Sequence, residues 1–522
     1  MNQFVQKFSG IVKGVLTGFD RIVFKGSILP LMHELGARDF LRGKGVLNKD
    51  YKKWMVEQSA MIVADATAYA EARCAQEGIL WIPSSATRKE ALAKERQQEE
   101  GIASGPVGVW SAVEPCISYK ARYCAQSGFP QIKSDWTKCK HLYFYFDHED
   151  YGFMNVRLQT WFPYHVQIAM NGREWLRRGL ESRGCGFVAK GNKFVHVDDY
   201  ALAQSLLDAQ LDTRWLPLLD GFLPDVFPAM RPILGPRLSY YWTLWQSEWA
   251  TDLVFPTPGH LAGMSDSLLR HAFMTGTATR VLRYLDRPLT KAGLPYANMN
   301  NEVTSRLLDF ADGVRVRHWV DHNSVKVYNE RNVLRIETTV NQPGMFKVHR
   351  HTQGEPESAP KRRLPLRKGV ADIVLRVQVS QEVNDRFMDQ LATCSDETPV
   401  RDVLDAVCAP GKNHGRRFRA LDVTGKDRAL LQAVADPLFA VSGITNKLLR
   451  EKLAGQPGYE RRTQKQLCAK VSRQLRLLRD HGLIRKLPRQ NKYQLTAKGR
   501  QLTTTLSALL VASTQRLMET AA

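Results

Sequence analysis

Cys116, Cys124, Cys139 and His141 fall within 26 positions and carry the side chains that a tetrahedral zinc site uses. The residues between them number seven, fourteen and one, which matches no common structural zinc spacing. Ordinary buried thiols are therefore the expectation, with zinc as the alternative. Glu248 and Asp252 lie four apart, and on a helix they would share a face, as a metal pair or as a solvated acidic stripe. Gly18-Phe-Asp20-Arg-Ile-Val-Phe-Lys-Gly26 encloses an Asp-Arg pair between glycines. That is a site or a tight strand-turn-strand, and it fits neither a phosphate-binding loop nor a dinucleotide fingerprint. Lys465, Gln466, Lys470, Arg473, Gln474 and Arg476 recur on one face of a strongly periodic segment, followed by Arg485, Lys486, Arg489 and Lys492. Side chains of this kind neutralise phosphates and read base edges.

The chain around these groups has 522 residues, 74 Lys+Arg against 52 Asp+Glu, and a net charge of +22. Hydrophobic residues make up 43%, which excludes wholesale disorder and a fibrous repeat. From Lys361 onward there are 31 Lys+Arg and 15 Asp+Glu, so a net of +16 sits in under a third of the chain. That asymmetry points to a polyanionic partner. No segment approaches the roughly 20 uncharged apolar residues of a membrane span. The eight cysteines form no Cys-x-x-Cys pair. Without a secretory signal they are expected as reduced thiols of a soluble, cytoplasmic protein.

The periodicity sets the elements. Tyr51 to Cys74 and Arg88 to Glu100 are expected as helices. Val107 to Ile168 changes to period two and predicts antiparallel strands. Glu174–Ser182 and Asp198–Leu211 are expected as helices, and residues 215–300 as mostly helical, including Tyr240 to Asp252. A three-stranded meander follows over Val314–Val320, Ser324–Tyr328 and Asn332–Val340. The prolines and Lys361-Arg-Arg of 351–368 mark a linker. The expected fold class is α+β multidomain, with mixed helices and antiparallel sheets in the N-terminal body. The expected segments are 1–105, 106–350, the linker, a helical connector over 369–425 and a winged helix over 426–515.

The last segment is the best defined. Lys426–Leu438 predicts a first helix, and Ser442 or Thr445 caps a second that ends at Leu453. Leu467, Val471, Leu475 and Leu478 stripe a third helix over Thr463–Asp480, which Gly482 terminates. A basic hairpin and a final helix complete the order a winged helix needs. Leu475-Arg-Leu-Leu-Arg-Asp-His-Gly-Leu-Ile-Arg-Lys, with Tyr493-Gln-Leu-Thr-Ala-Lys-Gly after it, resembles the winged-helix domains of MarR-type regulators. The resemblance covers about 80 residues and implies duplex binding through the ten polar and basic residues named above. The whole chain also resembles a set of uncharacterised bacterial proteins, from which no function follows.

A shorter match concerns Asn323-Ser-Val-Lys-Val-Tyr-Asn-Glu-Arg-Asn-Val-Leu-Arg-Ile-Glu-Thr-Thr. It resembles a piece of the replication initiators of rolling-circle plasmids and filamentous phages. The resemblance implies Glu337 as a ligand to Mg or Mn, Tyr328 as a catalytic tyrosine, Arg335 as a phosphate contact and Lys326 as a basic neighbour. Phosphodiester transfer needs such a cation together with a tyrosine or water nucleophile. The chain departs from that family at Glu330, where a lysine is expected, and no His-hydrophobic-His pair precedes the segment.

Three functions are consistent with this pattern. One is a DNA-binding protein of a mobile or replicating element, with metal-dependent strand nicking by the central body. Another is a transcriptional regulator whose large body senses a ligand or forms a homodimer. The third is a protein that binds structured RNA.

Overall fold

The computed structural model describes residues 3–511 except 85–87, 229–234, 236–238, 288–301, 311–312, 353, 357, 394–399, 414, 437–438, 440–442, 461–462 and 488–490. Residues 8–269 and 304–386 form one compact unit, and residues 1–7, 270–303 and 387–522 form another.

The first unit is built on one eleven-stranded sheet. Its strands are β1 (Gly14–Ile28), β2 (Leu80–Ile82), β3 (Gly105–Cys124), β4 (Phe129–His148), β5 (Gly152–Gln159) and β6 (Val166–Asn171), then β9 (Tyr240–Val254), β10 (Thr304–Phe310), β11 (Gly313–Val320), β12 (Asn323–Glu330) and β13 (Val333–Val340). β7 (Phe187–Lys190) and β8 (Lys193–Val197) make a separate hairpin. The spatial order is β10-β11-β12-β13-β9-β1-β6-β5-β4-β3-β2. Every pairing is antiparallel except β2 with β3. Strands from 1–105 and from 106–350, expected as separate segments, therefore share one sheet.

Alternation decides which face is covered. In β6, Val166, Ile168 and Met170 are buried while Gln167, Ala169 and Asn171 are not. The helix Tyr51–Glu77 buries Tyr51, Met55, Ser59, Ile62, Ala66, Ala70 and Cys74, a stripe at spacings of four and three. All of these except Ser59 join Val156, Leu158, Ile168, Phe24 and Trp242 in the main core.

Residues 240–254, expected as helix, form the central strand β9. Its Tyr, Trp, Thr and Val content suits a pleated surface, and Tyr241 and Trp245 stay exposed while Trp242 and Leu244 are buried. The meander over 313–340 is present, extended by β10 and joined to the sheet through β9. The 351–368 stretch is not an open linker: Lys347–Arg350 pairs with Arg362–Pro365 as a hairpin. The helix Ile373–Leu391 packs on the sheet through buried Asn384, which accepts from Thr338 Oγ1 at 2.7 Å and donates to the Trp249 carbonyl at 3.2 Å.

In the second unit, helices Arg428–Val434, Asn446–Leu453 and Gln464–Asp480 precede a hairpin of Ile484–Lys486 with Tyr493–Leu495 and a helix Ala497–Val511. Ile444 adds a bridge to Tyr493. The expected stripe Leu467, Val471, Leu475 and Leu478 is buried with Leu449, Leu453, Ile484 and Leu502. Thr445 caps the second helix by accepting from the Leu448 amide at 3.2 Å. Thr463 and Gln466 form a reciprocal capping box at the start of the third. Gly482, at φ +74°, takes the left-handed conformation that ends that helix. Thr463→Ala removes one half of the box and is expected to cost about 0.5–2 kcal/mol. Urea denaturation followed by a probe in this unit measures it.

Candidate functional site

The polar centre of the first unit arises where β12, β13, β9 and β1 lie side by side. Cross-strand partners are Lys326 with Glu337, Tyr328 with Arg335, Arg335 with Asp252 and Glu337 with Ala250. Because strand side chains alternate, Lys326, Tyr328, Arg335, Glu337, Glu248 and Asp252 share one face. Asp20 joins them through a slip in β1: Phe19 pairs with Trp249 and Arg21 with Glu248, leaving Asp20 as an extra residue. Such a bulge re-aims a side chain and locally increases twist. The helix Gly172–Glu181 abuts this bulge. A Cβ on Gly172 would stand 2.4 Å from the Phe19 carbonyl oxygen, so only glycine allows the approach.

Two charge layers result. In the deeper one, Arg335 donates to both carboxylate oxygens of Asp252, at 2.5 and 2.7 Å. It also donates to Asp20 Oδ1 at 2.6 Å and to the Asn192 carbonyl at 2.7 Å. Arg173 stands 3.2 Å from Asp252 and donates to the Ala250 carbonyl at 3.1 Å. Asp252 and Arg335 are 0% and 1% exposed. Such bidentate, charge-assisted contacts are the strong hydrogen bonds of a protein interior.

The shallower layer is acidic. Oxygens of Asp20, Glu248 and Glu337 lie within 4.8 Å of one another. Glu337 is fully buried, 2.6 Å from Lys326 Nζ, and accepts from the Tyr328 hydroxyl at 3.1 Å. Burial pushes the Glu337 carboxyl up to about 7, with Asp20 and Glu248 adding to the rise. Burial also works to raise Asp20, but Arg335, Arg173 and the Asn192 hydrogen bond overcome it and hold that carboxyl low. Three carboxylates form the oxygen-only donor set that Mg and Mn take, so these residues fit a hard divalent cation. Asp20, Glu248 and Asn192 line a cavity of about 590 Å³ with Arg21, Lys94 and Arg177, a size that admits a nucleotide-sized group.

Among the residues expected from the sequence, Glu337 is in this cluster. Tyr328 is too, but it is buried and its phenol is raised well above 10 by burial. Its hydroxyl holds Glu337. Arg335, expected as a phosphate contact, has its guanidinium engaged by Asp252, Asp20 and Asn192. Asp252 and Glu248 do share a face, but of a strand, and they divide between the two layers. Asp20 was singled out by its glycine-flanked setting, whereas the bulge that aims it leaves no mark in the sequence. Asn192 and Arg173 carried no signal.

In the second unit, Lys465, Arg473, Arg476, Arg485, Lys486 and Lys492 are exposed. Of these, Arg485 is hydrogen-bonded to Gln494 at 3.3 Å, and none is ion-paired to a carboxylate among the described residues. Three of the ten expected contacts are otherwise engaged. Gln474 is buried and donates to the Tyr459 hydroxyl at 2.5 Å, because position 474 falls on the core side of the helix. Lys470 donates to the Gly458 carbonyl at 2.6 Å and lies over the Tyr459 ring. Gln466 is exposed, but its side-chain oxygen accepts from the Thr463 amide at 3.1 Å. Arg489 lies outside the described residues.

Of the four residues of the zinc alternative, Cys116, Cys139 and His141 come together, all buried, as the expected buried thiols also would be. Cys124 does not: it sits beside the β3–β4 turn, paired with Phe129, eight residues along the strand from Cys116. No described helix is long and apolar enough to cross a membrane. No family model, curated protein or solved structure matches this chain.

Proposed function

We propose that this protein binds duplex DNA through a winged helix over 428–511. We further propose that it cuts a DNA strand at a divalent cation held by Asp20, Glu248 and Glu337, as a protein of a mobile or replicating element. The observation that carries the DNA reading is the exposed set Lys465, Arg473, Arg476, Arg485, Lys486 and Lys492, cations with no carboxylate partner among the described residues, on one helix and the hairpin after it. Each phosphate such a cation neutralises releases condensed counterions, so unpaired cations favour a polyanion. The order of three helices, hairpin and helix, with the Ile444 bridge to the hairpin, agrees with a winged helix.

The nicking half rests on the acidic layer beside its cavity. A bound Mg or Mn ion would polarise a phosphoryl oxygen and assist ionisation of an attacking water. The chain's own groups do the rest. Asp252 and Arg335 fix Asp20 in place, Tyr328 and Lys326 orient Glu337, and of the three cations on the cavity wall Lys94 pairs with Glu90 and Arg177 with Glu174, leaving Arg21 beside the acidic layer. Buried Tyr328 positions a ligand, so water is the nucleophile.

Arg473→Ala should weaken duplex binding by about 1–3 kcal/mol if the residue reads a base, with relaxed preference at one position. Lys486→Ala should instead weaken binding to all sequences alike and lower the salt slope by about one unit. Fluorescence anisotropy of labelled duplexes at several salt concentrations separates the two. Unchanged affinity in both variants would remove the DNA reading.

A further inference from the structure

Away from the acidic layer, a second donor set lies between β3 and β4. Cys139 pairs with Glu114 and His141 with Ala112, while Cys116 lies two residues beyond Glu114, so all three side chains share a face. The Cys116 and Cys139 sulfurs are 3.2 Å apart, and the His141 ring nitrogens lie 3.8 and 3.9 Å from Cys139 Sγ. Two Zn–S bonds of about 2.3 Å at a tetrahedral angle place the sulfurs roughly 3.8 Å apart, so ligation requires them to part by about half an ångström.

The imidazole is already set for ligation. His141 Nδ1 stands 3.2 Å from the Cys139 carbonyl, and a carbonyl oxygen can only accept. Nδ1 therefore carries the proton and Nε2 keeps its lone pair, the arrangement by which an outer hydrogen bond fixes a ligating histidine. Cys116 and His141 line a cavity of about 160 Å³ with Lys25, Arg157, Gln159 and His165. The positive charges of Lys25 and Arg157 on this cavity suit an anion at any remaining coordination position.

We propose that Cys116, Cys139 and His141 bind one zinc ion, with the fourth coordination position open to this cavity and suited to a small anion. Binding forms two Zn–S bonds and one Zn–N bond. The two thiol protons leave to solvent, and no oxidant is required. Cys124, eight residues further along an extended strand, is roughly 26 Å away and takes no part.

The test is titration of the reduced, metal-free full-length chain with Co²⁺ as a spectroscopic stand-in, followed by displacement with Zn²⁺. One ion per chain with sulfur-to-cobalt charge-transfer absorption is expected, and this signal should persist in Cys124→Ser. Cys139→Ser and His141→Gln should weaken binding by at least about 100-fold, with circular dichroism confirming that each still folds. If neither folds, Cys116→Ser provides the same comparison. Azide added to the wild-type cobalt form should shift its visible bands, because the fourth position is open. Absence of the charge-transfer band, its retention in Cys139→Ser, or recovery of a Cys116–Cys139 disulfide in protein purified under reductant would overturn the zinc site. A cobalt spectrum indifferent to azide would overturn the open position.

Discussion

Asp252→Ala should destabilise the first unit by about 3–5 kcal/mol, a large part of the stability of an ordinary domain. The physical reason is asymmetry. Asp252 is fully buried and is the carboxylate that both Arg335 and Arg173 contact. Nε and Nη1 of Arg173 find no acceptor among the described residues, so this guanidinium depends on Asp252 for its charge compensation. Removing the carboxylate leaves two desolvated cations sharing Asp20 and the more weakly acting Glu337, and an uncompensated buried charge costs far more than an intact pair contributes. Asp252→Asn should lose almost as much, because the amide keeps the shape but not the charge. Adding Arg335→Met to Asp252→Ala should recover part of the loss, since an apolar replacement needs no partner. Urea midpoints at constant m-value measure all three. A cost below about 1 kcal/mol for Asp252→Ala would mean that the layer is solvated rather than dry.

Glu337→Gln should lower Mg²⁺- or Mn²⁺-dependent nicking of supercoiled DNA by about 10²–10³-fold, or roughly 2.7–4 kcal/mol of barrier. Asp20→Asn should act similarly, because both would supply oxygen ligands to the same cation. Glu337→Gln removes the charge facing Lys326 and Asp20→Asn one facing Arg335, so a folding signal recorded beside the activity separates lost chemistry from lost structure. Tyr328→Phe is the informative contrast. Its hydroxyl donates to Glu337 at 3.1 Å and Tyr328 does not line the cavity beside the acidic layer, so the loss should stay within about tenfold. A covalent protein–DNA adduct that disappears in Tyr328→Phe would instead make this tyrosine the nucleophile. Equal activity in wild type and Glu337→Gln would remove the metal site.

The second unit was legible because its signals are local. Thr445, Thr463 and Gly482 mark helix ends by side-chain chemistry that acts over three or four residues. The Leu467–Leu478 stripe fixes which face is buried, although Gln474 shows that a polar residue beside such a stripe can turn inward to a tyrosine. The candidate site of the first unit was less legible because strands far apart in sequence build it. Asp20 and Arg335 meet across 315 positions. β9 departs from the helix expected there because its residues are buried on both faces over 249–254, which hides the alternation a half-exposed strand displays. The bulge at Asp20 is a mismatch between two strands and belongs to neither alone. Glu337 entered through a short resemblance, whereas its partners Asp20 and Glu248 required the sheet order.

The most direct test of the DNA claim is the salt dependence of duplex binding by the full-length chain, compared with the Arg473→Gln/Arg476→Gln/Lys486→Gln variant. A linear fall of log affinity with log salt is expected in the wild type. In the variant that slope should be smaller by up to about three units, one for each lost phosphate contact, with the fold intact. Identical slopes and affinities in the two proteins would contradict it, because the cations of that helix and hairpin would then face no phosphate.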